Sequence, residues 1–155
     1  MKKLFLFLTA AYLFASIACA NGGPSDMKIS IQVTSDLSAG QANSGSHKLT
    51  ATLADNSSAV AFYELLKKGP VSIKMSDYGS FEKVGPLGTT LPRNDAQITT
   101  TAGDIILYQG NQITIYYDTN SWNFTRLGKV DGVTQAQLKK ILGKGDVTAV
   151  FEILK

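Results

Sequence analysis

From residue 28 onward the chain alternates apolar and polar side chains. Ile29, Ile31 and Val33 are interleaved with Lys28, Ser30, Gln32 and Thr34, a period of two that predicts a strand with one buried face. Residues 36–47 are small and polar and predict an exposed loop. Leu49 to Leu53 then resumes the alternation. Asp55-Asn56-Ser57-Ser58 offers side-chain oxygens for the free amides of a helix start, and Val60, Ala61, Phe62, Leu65 and Leu66 fall mostly on one side of that helix, which ends near Gly69-Pro70. Further strands are predicted at 71–75, 81–84 and 98–101. The clearest hairpin joins 105–108 to 113–117 through Gln109-Gly110-Asn111-Gln112, with Gly-Asn at its centre because both residues accept positive φ. Residues 124–130 form another strand. Thr134 and Gln137 make a capping box, and Val133 with Leu138 a hydrophobic staple, for a second helix with the stripe Leu138, Ile141, Leu142 and a stop at Gly143. Val147, Ala149, Phe151 and Ile153 mark the last strand. Val150 interrupts its alternation, as happens where both faces are partly covered.

This is a mostly β chain of about eight strands and two helices without the regular βαβ rhythm of a parallel sheet. Closure into an antiparallel barrel capped by the two helices removes the exposed strand edges and fits best. The 155 residues suffice for one domain. We place that domain at residues 28–155.

Residues 1–20 have Lys2 and Lys3, an apolar run from Leu4 to Ala15 and small residues at the end, the plan of an export signal. Two readings of its end are open. Ala15-Ser16-Ile17-Ala18-Cys19 looks like a lipobox, which would make Cys19 a lipidated first residue and a membrane anchor. Ala18-Cys19-Ala20 also reads as an A-x-A site cut after Ala20, releasing a soluble exported protein. Residues 21–27 are turn formers and suit a flexible tether.

Composition narrows the chemistry. One Cys and one His exclude an intrachain disulfide and a structural zinc site, and the acidic residues do not recur at a calcium-loop spacing. The net charge of +3 comes from 15 basic and 12 acidic residues. Without Lys2 and Lys3 the balance is 13 against 12, about +1, too weak a field for nucleic acid. No cofactor is indicated, since no Gly-rich phosphate loop followed by Lys and Ser/Thr occurs, and His47, in the polar loop, is the sole His available to a triad.

The segments Leu49-Thr50-Ala51-Thr52-Leu53-Ala54-Asp55-Asn56, Leu91-Pro92-Arg93, Ala102-Gly103-Asp104-Ile105-Ile106-Leu107-Tyr108 and Phe124-Thr125-Arg126-Leu127-Gly128-Lys129-Val130, with the helix at 59–66, together resemble the bacterial cyclophilin-like domain family over residues 47–154. The resemblance implies a small barrel, often exported or lipidated, sometimes beside flavodoxin-like domains, of unassigned biochemical role. It does not by itself imply prolyl isomerisation, because function resides in a site and not in a barrel. True cyclophilins place an Arg after a Phe-His pair, and no Phe-His-Arg occurs here.

Six residues are candidates for ligand contact. Arg93, restrained by Pro92, is a preformed cation for a carboxylate or peptide carbonyl, or a surface residue paired with Asp95. Arg126 either projects into a barrel mouth or faces outward from its strand. Trp122, in a polar connection, is a stacking platform or a plug closing one end of the core. Tyr78, Phe81 and Met75 line a groove around Gly79, or pack in the barrel with exposed phenols. Asp104 reads as a turn residue that starts a strand. The resulting expectation is an envelope-located binding module without catalysis, recognising a peptide or protein at the barrel's rim. The alternatives are a divergent prolyl isomerase for exported proteins and an accessory partner of a flavodoxin-like redox protein.

Overall fold

The alternating segments become nine antiparallel strands in a computed structural model that describes residues 27–35, 45–143 and 145–155. The export segment with Cys19, tether residues 21–26 and most of the polar loop lie outside the described residues. The elements run β1 (Lys28–Ser35), β2 (Ser46–Leu53), α1 (Ser57–Lys67), β3 (Val71–Tyr78), β4 (Glu82–Pro86), β5 (Ala96–Thr99), β6 (Asp104–Tyr108), β7 (Gln112–Tyr116), β8 (Ser121–Val130), α2 (Gln135–Leu142) and β9 (Val147–Ile153). In space they follow β2-β1-β9-β3-β4-β7-β6-β8, and β8 returns to β2 through Ala51↔Val130, Thr52↔Lys129 and Leu53↔Gly128. Eight strands thereby close a barrel. The ninth, β5, pairs with the first half of β8, Ile98 opposite Trp122 and Ala96 opposite Phe124.

Closure depends on close backbone approach at the last seam. A Cβ on Gly128 would stand 2.5 Å from the Thr52 carbonyl oxygen, so only glycine lets β8 lie against β2. Nearby, the register between β6 and β8 shifts at Ile105/Ile106, a bulge of the sort that bends a strand around a barrel.

Inward positions fill the tube. Ile29, Ile31 and Val33 from β1, Ile105 and Leu107 from β6, Ile113 and Ile115 from β7, and Val147, Ala149 and Phe151 from β9 belong to one buried cluster. The helices complete it. Ala59, Phe62 and Leu66 of α1, and Leu138 and Leu142 of α2, join the same cluster, and Phe62 meets Phe151 edge-on at 5.8 Å. Since the wall is continuous, such side chains enter only through the open ends. The helices are therefore caps.

Both helix starts are built as the sequence predicts. Asn56 Oδ1 accepts from the Ala59 amide at 2.8 Å while its Nδ2 donates to the Arg126 carbonyl at 2.8 Å, fastening α1 to β8. Thr134 and Gln137 form the capping box, and Gly143, at φ 59°, ends α2.

Three local expectations are corrected. The hairpin's positive-φ residues are Gln109 (52°) and Gly110 (80°), so the turn centres one residue earlier than Gly-Asn; the Asn111 amide closes it on the Tyr108 carbonyl at 3.2 Å. His47 is in β2 and not in a loop, paired with Val33. Trp122 is likewise a strand residue, since β8 begins at Ser121. Polar side chains hid both strand starts.

Candidate functional site

The wall of the barrel has a second apolar side. Along β6 and β7 the residues between the core positions point outward, and Ile106, Tyr116 and Phe124 there are at most 3% exposed, with Phe81, Ile98 and Tyr108 packed around them. The β5–β8 ribbon makes this possible by supplying Ile98 and Phe124 over the outer face. The rings touch in series: Tyr78–Phe81 at 5.8 Å, Phe81–Tyr116 at 6.1 Å, Tyr116–Phe124 at 5.7 Å and Phe124–Tyr108 at 6.4 Å. Such ring pairs at 4.5–7 Å add to simple burial.

Over this cluster opens a cleft of about 310 Å³. Tyr116 and Phe124 are its floor, Glu82, Gln112 and Asn120 its polar walls, and Tyr78 (63% exposed) and Trp122 (60% exposed) its mouth. Its most unusual member is Glu82. It sits in β4 between Tyr78 of β3 and Tyr116 of β7 in direct cross-strand register, so all three side chains share the outer face. Only 7% of it is exposed, and its Oε2 has no hydrogen-bond partner among the described residues. Burial pushes the Glu82 carboxyl above the usual carboxylate range, although a hydrogen bond from Tyr116 partly offsets this. The Tyr116 phenol is pushed far up, first by burial and then by Glu82. Asn120 is fixed from behind, its carbonyl accepting from the Thr100 amide at 2.7 Å.

Tyr108 and Trp122 also wall a second hollow of about 360 Å³, beside Arg93, Asp95, Gln109 and Asn123. The loop that carries Arg93 is tightly held. Asn94 Oδ1 accepts from the Ser58 amide at 3.0 Å and the Ser58 hydroxyl at 2.7 Å, the Asn94 amide donates to Thr125 Oγ1 at 2.8 Å, and the Leu91 amide reaches the Gly110 carbonyl at 2.8 Å. Arg93 is ion-paired with Asp95, and the hydrogen bonds from Arg93 and Thr125 hold the Asp95 carboxyl below its usual range. Arg93 is thus the surface residue paired with Asp95, and its side chain lines this hollow.

The structure gathers Tyr78, Trp122 and Arg93 on one outer surface, with Phe81 supporting Tyr78 and Tyr116 from behind. Trp122 plugs no core, contrary to the packing expectation, because its partner Ile98 lies outside the wall. Met75 does not line a groove; it is fully buried inside the barrel, in phase with Ile73. Arg126 faces outward but away from the cleft, bonded to Asp104 at 3.2 Å, while Lys129 reaches the same carboxylate at 3.3 Å. Asp104 starts β6 as expected, its Oδ2 accepting from the Thr101 amide at 2.8 Å. This cleft lies on the side of the barrel and not at its rim.

Glu82, Tyr108, Gln112, Tyr116, Asn120 and Phe124 escaped the sequence reading. A signal existed: residues 105–108 and 113–117 are apolar in both phases of the alternation, which marks strands covered on both faces. Lys83 escaped too. Adjacent to Glu82 but inward, it is wholly buried and bonds Asp77 at 2.8 Å and the Gly145 carbonyl at 2.7 Å.

The family model described as Cyclophilin-like family matches residues 42–152. Among solved structures, the solution structure of a hypothetical protein from Archaeoglobus fulgidus is similar, with a TM-score of 0.56 and 10% identity over 87% of this chain and 99% of that one, a likeness of fold alone. No protein of curated function matches the chain.

Proposed function

Because the chain belongs to the Cyclophilin-like family and carries an aromatic cleft on the outside of its barrel, we propose that it is a binding module of the cell envelope that performs no bond-making of its own. In this reading residues 1–20 direct export, a lipid on Cys19 holds the protein at a membrane, and the cleft receives the ligand. The observation that carries it is the pair of large aromatic side chains, Tyr78 and Trp122, standing more than half exposed over a preformed apolar floor. Exposed aromatic surface beside a hollow marks recognition sites, where the ring supplies area and the polar edge stays wet.

The test of recognition is competition at the cleft. Tyr78→Ala combined with Trp122→Ala in the full-length chain leaves the fold intact and abolishes ligand retention; retention unchanged by both substitutions sinks the reading. An isomerase reading has one foothold, the position of Arg93 beside Trp122 in the adjoining hollow. Turnover of a proline-containing peptide that disappears in Arg93→Ala would establish it. Anchoring is tested by the intact mass of membrane-extracted protein: an acylated chain beginning at Cys19 supports it, and a bare chain beginning at Asn21 excludes it.

A further inference from the structure

Beyond the hydrogen bond it accepts from Tyr116, the Glu82 carboxylate has no partner among the described residues. Lys83, one residue on, faces the other way and spends its charge on Asp77, and among the described residues no Lys, Arg or His lines the cleft. One carboxylate oxygen is left without a donor at the wall of a hollow, in a side chain more than nine-tenths buried. The same cleft is lined by the aromatic rings of Tyr108, Tyr116, Trp122 and Phe124. Ring faces carry the negative end of the aromatic quadrupole and attract cations, Trp most strongly. A carboxylate with one oxygen unfilled beside aromatic walls disfavours an anion and favours a positive nitrogen bearing N–H groups over a neutral donor, because a charge-assisted bond is the stronger.

We infer that the cleft binds an organic cation ending in an ammonium group, with the Glu82 carboxylate as counter-ion and the surrounding rings as its cage. This rests on the cleft being the recognition site, and it specifies the ligand's chemical class. Binding is linked to protons. Tyr78 of β3 and Tyr116 of β7 flank Glu82 in register, Tyr108 of β6 lines the same cleft, and Tyr117, just past β7, senses the Glu82 charge. Burial and the neighbouring carboxylates push the Tyr116 and Tyr117 phenols far up, and the Lys83–Asp77 pair lies on the inner face. An arriving ammonium group therefore favours the ionised carboxyl and displaces its proton, so affinity rises with pH through the Glu82 titration.

The full chain holds a single tryptophan, Trp122, and its emission reports the cleft directly. We would titrate it with n-butylammonium chloride and with butan-1-ol as the uncharged control. The expected result is saturable binding of n-butylammonium at least about tenfold tighter than butan-1-ol at pH 8, the range for a hydrogen bond to a charged group. That advantage disappears in Glu82→Gln while butan-1-ol binding is unchanged, and in the unaltered protein it fades on acidification. Should the two ligands bind equally, or Glu82→Gln leave the preference intact, the cation assignment falls and the cleft remains a recognition site. Should neither ligand perturb Trp122 emission or the Tyr116 and Phe124 resonances, both the assignment and the cleft reading fall.

Discussion

Two adjacent residues, Glu82 and Lys83, carry opposite charges to opposite faces of one strand, and their consequences for stability differ in sign. Burial holds Glu82 protonated to higher pH than in the unfolded chain, whose carboxyl titrates near 4.5. Below that value both states are protonated and no penalty exists. As pH rises through the interval up to the folded value, the unfolded chain releases its proton first, and folding loses stability. Glu82→Gln should therefore raise the melting temperature at pH 7, with the gain vanishing near pH 4 in calorimetry. Lys83 has the reverse logic. Burial opposes ionisation of Asp77, but the hydrogen bonds from Lys83 and Tyr117 outweigh it and hold the Asp77 carboxyl below its usual range. Asp77→Ala leaves the buried Lys83 ammonium with the Gly145 carbonyl as its remaining acceptor and should cost about 3 kcal/mol by chemical denaturation. Lys83→Met should cost less, because Asp77 is 31% exposed and turns to water. The opposite ranking would show that the pair is not organised around the buried partner.

At the scale of elements, the features legible from sequence are those set by neighbours along the chain. Thr134 to Gln137 and Asn56 to Ala59 are contacts within three residues, and both helix starts form as read. Asn56 additionally ties the Arg126 carbonyl, 70 residues away, so Asn56→Ala should cost about 2 kcal/mol and Thr134→Ala about 1 kcal/mol, measured as shifts in urea midpoint. Equal costs would mean the second bond of Asn56 contributes nothing. Strand limits were less legible, since pairing partners, not local composition, decide them. His47 and Trp122 occupy strands because Val33 and Ile98 lie opposite, and no local pattern announces that. Met75 looked like a groove residue through its neighbours Tyr78 and Phe81, yet its phase with Ile73 turns it inward.

For the whole molecule, the mostly β barrel and its two caps were readable because one inward face repeats in strand after strand. The strand predicted at 98–101 forms as β5, two residues earlier, but its place outside the barrel and the outer cleft were not readable, as they depend on which strands meet when the tube closes. Gly128 is the position where that closure is most exposed to a single change. A methyl there meets the Thr52 carbonyl at 2.5 Å, so Gly128→Ala should destabilise by about 2–3 kcal/mol, within the cost of overpacking, and loosen amide-exchange protection at the β2–β8 seam before elsewhere. Uniform loss of protection would show that the seam is not a separate point of opening. The same strands that seal the interior also furnish the floor of the outer cleft, using alternate residues for each duty. Ile105 and Ile115 serve one and Ile106 and Tyr116 the other, so any substitution that shifts these strands to repack the interior also moves the floor of the cleft.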